Sequence, residues 1–162
     1  MDKNQKFILN KFSNSFKFRL ILFKILPMGF LSGMRITELN EELCRVSVPF
    51  KWLNKNPFKS IFWAVLGMAA EMSSGALVTL YTYGKKPSIS LLVSKCGAEF
   101  VKKSTGKIVF TCNDGLLIKN AVEEAIQTKE SVEIETYMEG VNTDGETVAK
   151  FKFTWSLKQR SK

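Results

Sequence analysis

The 162-residue chain contains no histidine, only three cysteines and only four prolines. The missing imidazole excludes the most, because Ser-His-Asp and Cys-His nucleophile activation and histidine-ligated metal sites all depend on it. Any chemistry here must run on carboxylate, amide, hydroxyl or backbone groups. Cys44, Cys96 and Cys112 are odd in number, widely spaced and set in apolar runs. They offer neither a secreted disulfide framework nor zinc-ligand spacing, and all three read as buried thiols. Internal repeats and a low-complexity linker are also absent, which leaves one domain as the reading. A chain of this size removes about 70% of its unfolded surface from water, enough to need no covalent or metal staple.

What is present is basic. The net charge is +9, and up to Lys24 six Lys or Arg (Lys3, Lys6, Lys11, Lys17, Arg19, Lys24) stand against one acid, Asp2, while Lys158, Arg160 and Lys162 follow at the other end. Such ends attract phosphates, whether of nucleic acid, an anionic membrane or a phosphate-bearing small molecule. Nucleic acid fits worst, since the charge sits at the two ends rather than among exposed aromatics on one sheet face. Phe18 to Phe30 is apolar but short and broken by Lys24 and Pro27, so it is not read as a signal peptide, and a cytoplasmic protein is expected. Ile61 to Tyr83 could span a bilayer by length, but it places Glu71, Ser73 and Ser74 at mid-depth, where an ionised group costs at least ~2.5 kcal/mol. A helix buried inside a protein core is the expectation.

Along the chain, Ile8, Phe12, Phe16, Leu20 and Phe23 predict one amphipathic helix over 5–26, stopped by Pro27 and Gly29. It either covers the sheet or lies on a membrane surface. Residues 1–33 therefore form an N-terminal helical segment ahead of a main domain over 34–162. Cys44, Val46 and Val48 alternate as in a strand, with a hairpin around Asn40. Asn54 to Pro57 forms a loop, and Ser60 is placed to cap a helix that runs to Tyr83 and ends at Gly84. That helix, about 36 Å long and apolar nearly all round, is the expected core. Strands follow at 89–95, 99–103 and 107–112, then a helix over 115–128 capped by Asp114. The last strands, 132–141 and 146–157, are joined by a hairpin at Asp144-Gly145. The order reads as an α+β fold in which a curved antiparallel sheet surrounds one helix.

Asn56, Ser60, Glu71 and Ser74 are the sharpest constellation. A carboxylate among apolar groups has its pKa raised by desolvation and can be held ready as a base, and Ser74, three residues on, is placed to hold a water. The helix N-terminus around Trp63 offers unpaired N–H groups for an oxyanion. Gly67 and Gly75 flank Glu71 at four-residue spacing and predict close approach of a ligand or backbone. The same pattern also fits a merely structural carboxylate bonded to a hydroxyl or the backbone.

The stretch from Asn56 through Pro57, Phe62-Trp63-Ala64 and Ala69-Ala70 to Glu71 resembles the active-site segment of hotdog-fold acyl-CoA thioesterases of the phenylacetyl-CoA thioesterase-like branch. There an asparagine precedes a His-Gly-Gly turn and an acid follows one helix later. Asn56 and Glu71 match the asparagine and the acid, while Phe62-Trp63-Ala64 stands where His-Gly-Gly would. Ala69-Ala70-Glu71-Met72-Ser73-Ser74-Gly75, together with Pro27 to Gly33, is similar to an uncharacterised thioesterase-like branch of the same superfamily. The resemblance covers nearly the whole chain, including Asp144-Gly145-Glu146 and the Trp155 strand.

It implies a hotdog fold and hydrolysis of a fatty or aromatic acyl thioester. Glu71 would be base or nucleophile, Asn56 would orient it or the carbonyl, the Trp63 N–H would be the oxyanion donor, and Ser60, Phe62, Gly67 and Gly75 would line the channel. Coenzyme A enters as part of the substrate, with no separate cofactor and no metal. A homodimer or dimer of dimers is implied, its sheets joined edge to edge, its sites between subunits and its basic residues meeting the coenzyme A phosphates. The alternative is a non-catalytic acyl or lipid binder that has lost the His-Gly-Gly turn.

Overall fold

A computed structural model describes residues 1–160; Lys162, counted above among the basic residues, lies outside the described residues. Its centre is α4 (Trp63–Thr82), whose residues Val65, Leu66, Ala69, Ala70, Ser73, Leu77, Leu80 and Tyr81 are buried. Around it curves one antiparallel sheet of β1 (Arg35–Leu39), β2 (Cys44–Val48), β3 (Ile89–Phe100), β4 (Ile108–Cys112), β5 (Ser131–Val141) and β6 (Thr147–Gln159). The spatial order is β1-β2-β4-β5-β6-β3. Along β6, Ala149, Phe151, Phe153, Trp155 and Leu157 face inward as alternation predicts. The sheet thus covers α4 with aromatic rings, and α5 (Gly115–Thr128) packs across α4 and β5. Among the described residues, the one helix long and apolar enough to cross a membrane is α4, and it is more than half buried inside the protein.

The turns obey local chemistry. Asn40 Oδ1 accepts from the N–H groups of Glu42 and Leu43, closing the first hairpin. Asn142 Oδ1 accepts from Asp144 and Glu146 in the last, where Gly145 takes the left-handed φ of 79° that the turn demands. At the far end of α4 the Tyr81 hydroxyl donates to the Glu41 carbonyl at 2.6 Å, pinning the helix to the β1–β2 hairpin.

Several expectations are corrected. The N-terminal helix is not one but three: α1 (Lys3–Ser13), α2 (Ser15–Ile25) and α3 (Pro27–Ser32). The first break falls at Asn14, whose Oδ1 accepts from Lys17 N and caps α2. Ser13-Asn14-Ser15 offers three side chains that compete for backbone groups, so the helix restarts there. Pro27 opens α3 at a position where its missing N–H costs nothing. The restart also changes which face points inward: Ile8 of α1 is buried, but in α2 Phe18 and Leu22 are buried while Phe16, Leu20 and Phe23 are exposed.

The expected strands 89–95 and 99–103 are a single strand, β3, paired along its whole length with β6. Gly97 does not break it; it makes room for the Lys152 side chain on the neighbouring strand. Ser60 does not cap α4. Phe62 holds that position without a side-chain bond, and the Ser60 hydroxyl turns back to Asn56. Asp114 precedes α5 but does not bond its N–H groups; its Oδ2 accepts from Tyr137 N at 2.8 Å instead.

Only two of the cysteines are buried. Cys44 and Cys112 face each other across β2 and β4, where burial pushes the Cys112 thiol up to about 12 and the Cys44 thiol higher still, whereas Cys96 on β3 is exposed. Thiol titration of the native protein should therefore detect one accessible cysteine, and all three only after unfolding. Gly115 is a second test of packing. A Cβ there would meet the backbone carbonyl oxygens of Glu41 and Glu42, neither of which can yield cheaply. Gly115→Ala should cost about 2 kcal/mol or more in a urea-unfolding measurement.

Candidate functional site

Two depressions flank α4. The first, of about 330 Å³, lies between α2 and α4 and is lined by Phe18, Ile21, Ile25, Met68, Met72 and Trp155, with Glu71 as its one acid. Glu71 stands on the exposed stripe of α4, not sealed in the core as its sequence context implied. Even so, the apolar groups around it strip away part of its water and raise its carboxyl pKa. Cys96 sits near enough on β3 for the Glu71 charge to act on it. Desolvation first, then that charge, raises the thiol pKa, so Cys96 stays protonated and is not a ready nucleophile. Nothing in the sequence pairs these two residues; only the curvature that brings β3 beside α4 does.

The second depression, of about 370 Å³, lies at the start of α4 and is bordered by Asn56, Ser60, Trp63, Phe100, Lys102 and Lys103. Asn56 organises it. Its Oδ1 accepts from Phe58 N (3.0 Å), Ser60 N (3.2 Å) and Ser60 Oγ (3.2 Å), closing a turn in which Lys59 adopts a left-handed φ of 59°. With its oxygen so used, the Asn56 amide nitrogen keeps its donors. Phe62 N donates to Asn54 O and Ile61 N to Ser104 O, while among the described residues the N–H groups of Trp63 and Ala64 find no acceptor, as expected of the first turn of a helix.

The predicted constellation is therefore split. Asn56, Ser60 and Trp63 share the second depression, and Glu71 and Gly75 line the first, two helical turns or about 12 Å away along α4. Within one subunit they do not meet. Ser74 is fully buried; its hydroxyl donates to Glu71 O at 3.1 Å and accepts from Trp155 Nε1 at 3.1 Å, so it has no path to a water beside the carboxylate. Gly67 and Gly75 serve helix–sheet packing, since Cβ atoms there would lie 3.4 Å from the Phe151 ring and 3.7 Å from the Trp155 ring. Phe62 borders neither depression and packs edge-on against Trp63.

A residue missed from sequence is Asn54. Buried in the loop before α4, it donates through Nδ2 to the carbonyls of Ser32 and Pro49, at 2.8 and 2.7 Å, while its own carbonyl accepts from Phe62 N. The signal that could have found it is an amide in a loop between apolar segments, where buried carbonyls need donors.

A long helix wrapped by a curved six-stranded antiparallel sheet defines the hotdog fold. Residues 18–157 match the family described as Domain of unknown function (DUF4442), and the chain belongs to that family. No curated protein matches the sequence. Among solved structures, PA5026 from Pseudomonas aeruginosa, a protein of unknown function described as a probable thioesterase, is 22% identical. That match covers 90% of this chain and 96% of that one, with a TM-score of 0.75. OLEI01261 from Chlorobaculum tepidum TLS, of unknown function, is 17% identical over 89% of this chain and 93% of its own, at 0.73. Thioesterase HI1161 from Haemophilus influenzae is 10% identical over 90% and 91%, at 0.66. At these identities the likeness is one of fold.

The Ser74–Trp155 bond separates a structural from a chemical role. Ser74→Ala leaves the indole N–H buried without a partner and should cost about 1–3 kcal/mol. Its unfolding midpoint should fall while any ligand affinity or turnover stays at the parent level.

Proposed function

We propose that the protein is a thioesterase-like hydrolase of fatty or aromatic acyl-CoA. The observation that carries the proposal is the raised carboxyl of Glu71 at the mouth of an apolar groove in a hotdog fold. In this reading the acyl tail lies in the groove between α2 and α4. Glu71 takes a proton from water, the resulting hydroxide attacks the thioester carbonyl, and the oxyanion is met by the Trp63 N–H and the Asn56 amide. When the C–S bond breaks, Glu71 returns its proton to the leaving thiolate. Lys103 beside the second depression, with Lys102 already paired to Glu146, supplies charge for the coenzyme A phosphates.

The 12 Å gap along α4 is closed in this proposal by a second copy. β3 is an outer strand whose far edge has no partner strand among the described residues. Pairing two such edges antiparallel about a twofold axis would run the two α4 helices side by side in opposite directions, setting Asn56 and Trp63 of one copy toward Glu71 of the other.

Two measurements test it. As a base, Glu71 must be ionised, and its pKa is raised. The acid limb of kcat/KM should therefore lie above the ordinary glutamate value of about 4.3, and activity should vanish in Glu71→Gln without loss of stability at neutral pH. Parent and Glu71→Gln hydrolysing an acyl-CoA panel at equal rates would remove Glu71 from the mechanism. Asn56→Asp keeps the oxygen that closes the turn and removes the amide donor. Mixing it with Glu71→Gln should restore roughly a quarter of the parent rate, because half the dimers are mixed and each carries one intact site. No restoration, with both variants dimeric, would put the site within one subunit.

A second reading, a non-catalytic acyl binder, is favoured by one observation: the exposed rings of Phe62 and Trp63 stand at the helix start where the resembling enzymes carry histidine and glycine. A fatty acid retained in native mass spectrometry, together with no turnover of any thioester, would select it.

A further inference from the structure

The restart of the helix at Asn14 leaves α2 apolar on three sides. Phe18 and Leu22 enter the core, Ile21 and Ile25 line the groove, and Phe16, Leu20 and Phe23 point away from both. Phe16 is 72% exposed and Ile25 75%. Folding leaves these side chains in water, although Lys17, Arg19 and Lys24 show that this helix has polar residues to place outward. The exposure does not stop at α2. Met28 and Leu31 continue it along α3, and Leu53 and Trp52, the latter 75% exposed, continue it onto the 3-10 turn Trp52–Asn54. The three segments are fastened together: the Phe23 and Phe30 rings meet edge-on at 5.3 Å, Lys51 Nζ donates to Leu31 O at 2.6 Å, and Asn54 bonds Ser32 O. Their exposed apolar side chains therefore lie on one joined set of segments rather than scattered singly over the protein.

The charge on those segments has one sign. Residues 3–37 contain seven Lys or Arg and no acid, and residues 49–70 contain Lys51, Lys55 and Lys59 and no acid. Among the described residues, none of Lys17, Arg19, Lys24, Lys51, Lys55 or Lys59 forms an ion pair. Cations that flank exposed aromatic and aliphatic groups, with no anion supplied by the protein, complement a surface that is negative outside and apolar just beneath. Lysine stems lie along the apolar groups while their ammonium ends reach phosphates.

We infer that α2, α3 and the Trp52–Asn54 turn form a docking face for an anionic lipid bilayer. The helices lie in the plane of the interface, with Phe16, Leu20, Phe23, Met28 and Trp52 entering the acyl boundary and the lysines contacting headgroup phosphates. The groove opens on the same face through Ile25 and Leu26, so an acyl chain can pass between bilayer and groove without crossing water. This face does not depend on the hydrolytic reading and stands whether or not Glu71 turns over a thioester.

The test is sedimentation of the full chain with vesicles of phosphatidylcholine alone and with about a third phosphatidylglycerol added. The protein should pellet with the anionic vesicles, stay in solution with the neutral ones and be released by high salt, and Trp52 fluorescence should shift to the blue on binding. Each lysine near such a surface contributes about fivefold in partitioning, so Lys17→Gln with Lys24→Gln should weaken it roughly 30-fold. Phe16→Ser with Phe23→Ser should also weaken it, with circular dichroism and unfolding midpoint as in the parent. Failure of the parent to bind anionic vesicles would overturn the proposal, as would equal binding by both double variants. So would a parent oligomer that Phe16→Ser/Phe23→Ser dissociates, which would give the face to a second copy of the chain.

Discussion

Everything in this molecule follows from the need to cover a 20-residue apolar helix. A sheet can cover only one side of a cylinder, and β6 does so closely because Gly67 and Gly75 let α4 settle onto the Phe151 and Trp155 rings. The Trp155 indole then needs an acceptor in a dry interior, and Ser74 provides it. A second side of α4 is covered by α1 and α5. What remains is a single open stripe, and the sequence places the helix's one acidic residue, Glu71, there. Position on an incompletely covered helix raises its pKa, without any designed partner.

The elements legible in the sequence are those fixed by local rules. α4 and α5 announce themselves by length and apolar content, β6 by strict alternation, and the two hairpins by Asn40 and by Asp144-Gly145. The errors share a different origin. Gly97 looks like a strand break until Lys152 is seen to need its space. Ser60 looks like a helix cap until Asn56 is seen to claim its hydroxyl. Phe16, Leu20 and Phe23 continue the stripe of Ile8 and Phe12 at helical spacing, but three cap-forming residues at 13–15 reset the phase, which a periodicity count cannot register. For the candidate site, the grouping of Asn56, Ser60 and Trp63 was legible and the separate placement of Glu71 was not. Asn56 and Glu71 stand at the separation the resembling enzymes show, yet one rigid helix holds them apart.

Phe62-Trp63-Ala64, which stands where the resembling enzymes carry His-Gly-Gly, shapes the surface at the start of α4. Two exposed rings now stand at the helix start, close to a loop rich in lysine and free of acid. Acids are concentrated elsewhere, on the β1–β2 hairpin, α5, β5 and the last hairpin, where Glu38, Glu135 and Glu146 pair with neighbouring cations. The charge is thus uneven: ion pairs link neighbouring strands and loops, while uncompensated positive charge is mixed with apolar groups on α2, α3 and the loop ahead of α4. Diffusing anions would orient the whole molecule before any contact forms.

Asn54 gives this arrangement a mechanical side. One buried amide holds the last turn of α3 and the end of β2, while the same residue's carbonyl holds the peptide just ahead of α4. Three chain segments that are distant in sequence share a single rigid joint. A load applied to the outer helices, such as the lateral pressure of a lipid layer, would reach the unpaired N–H groups of Trp63 and Ala64 through two hydrogen bonds, with no flexible hinge to absorb it.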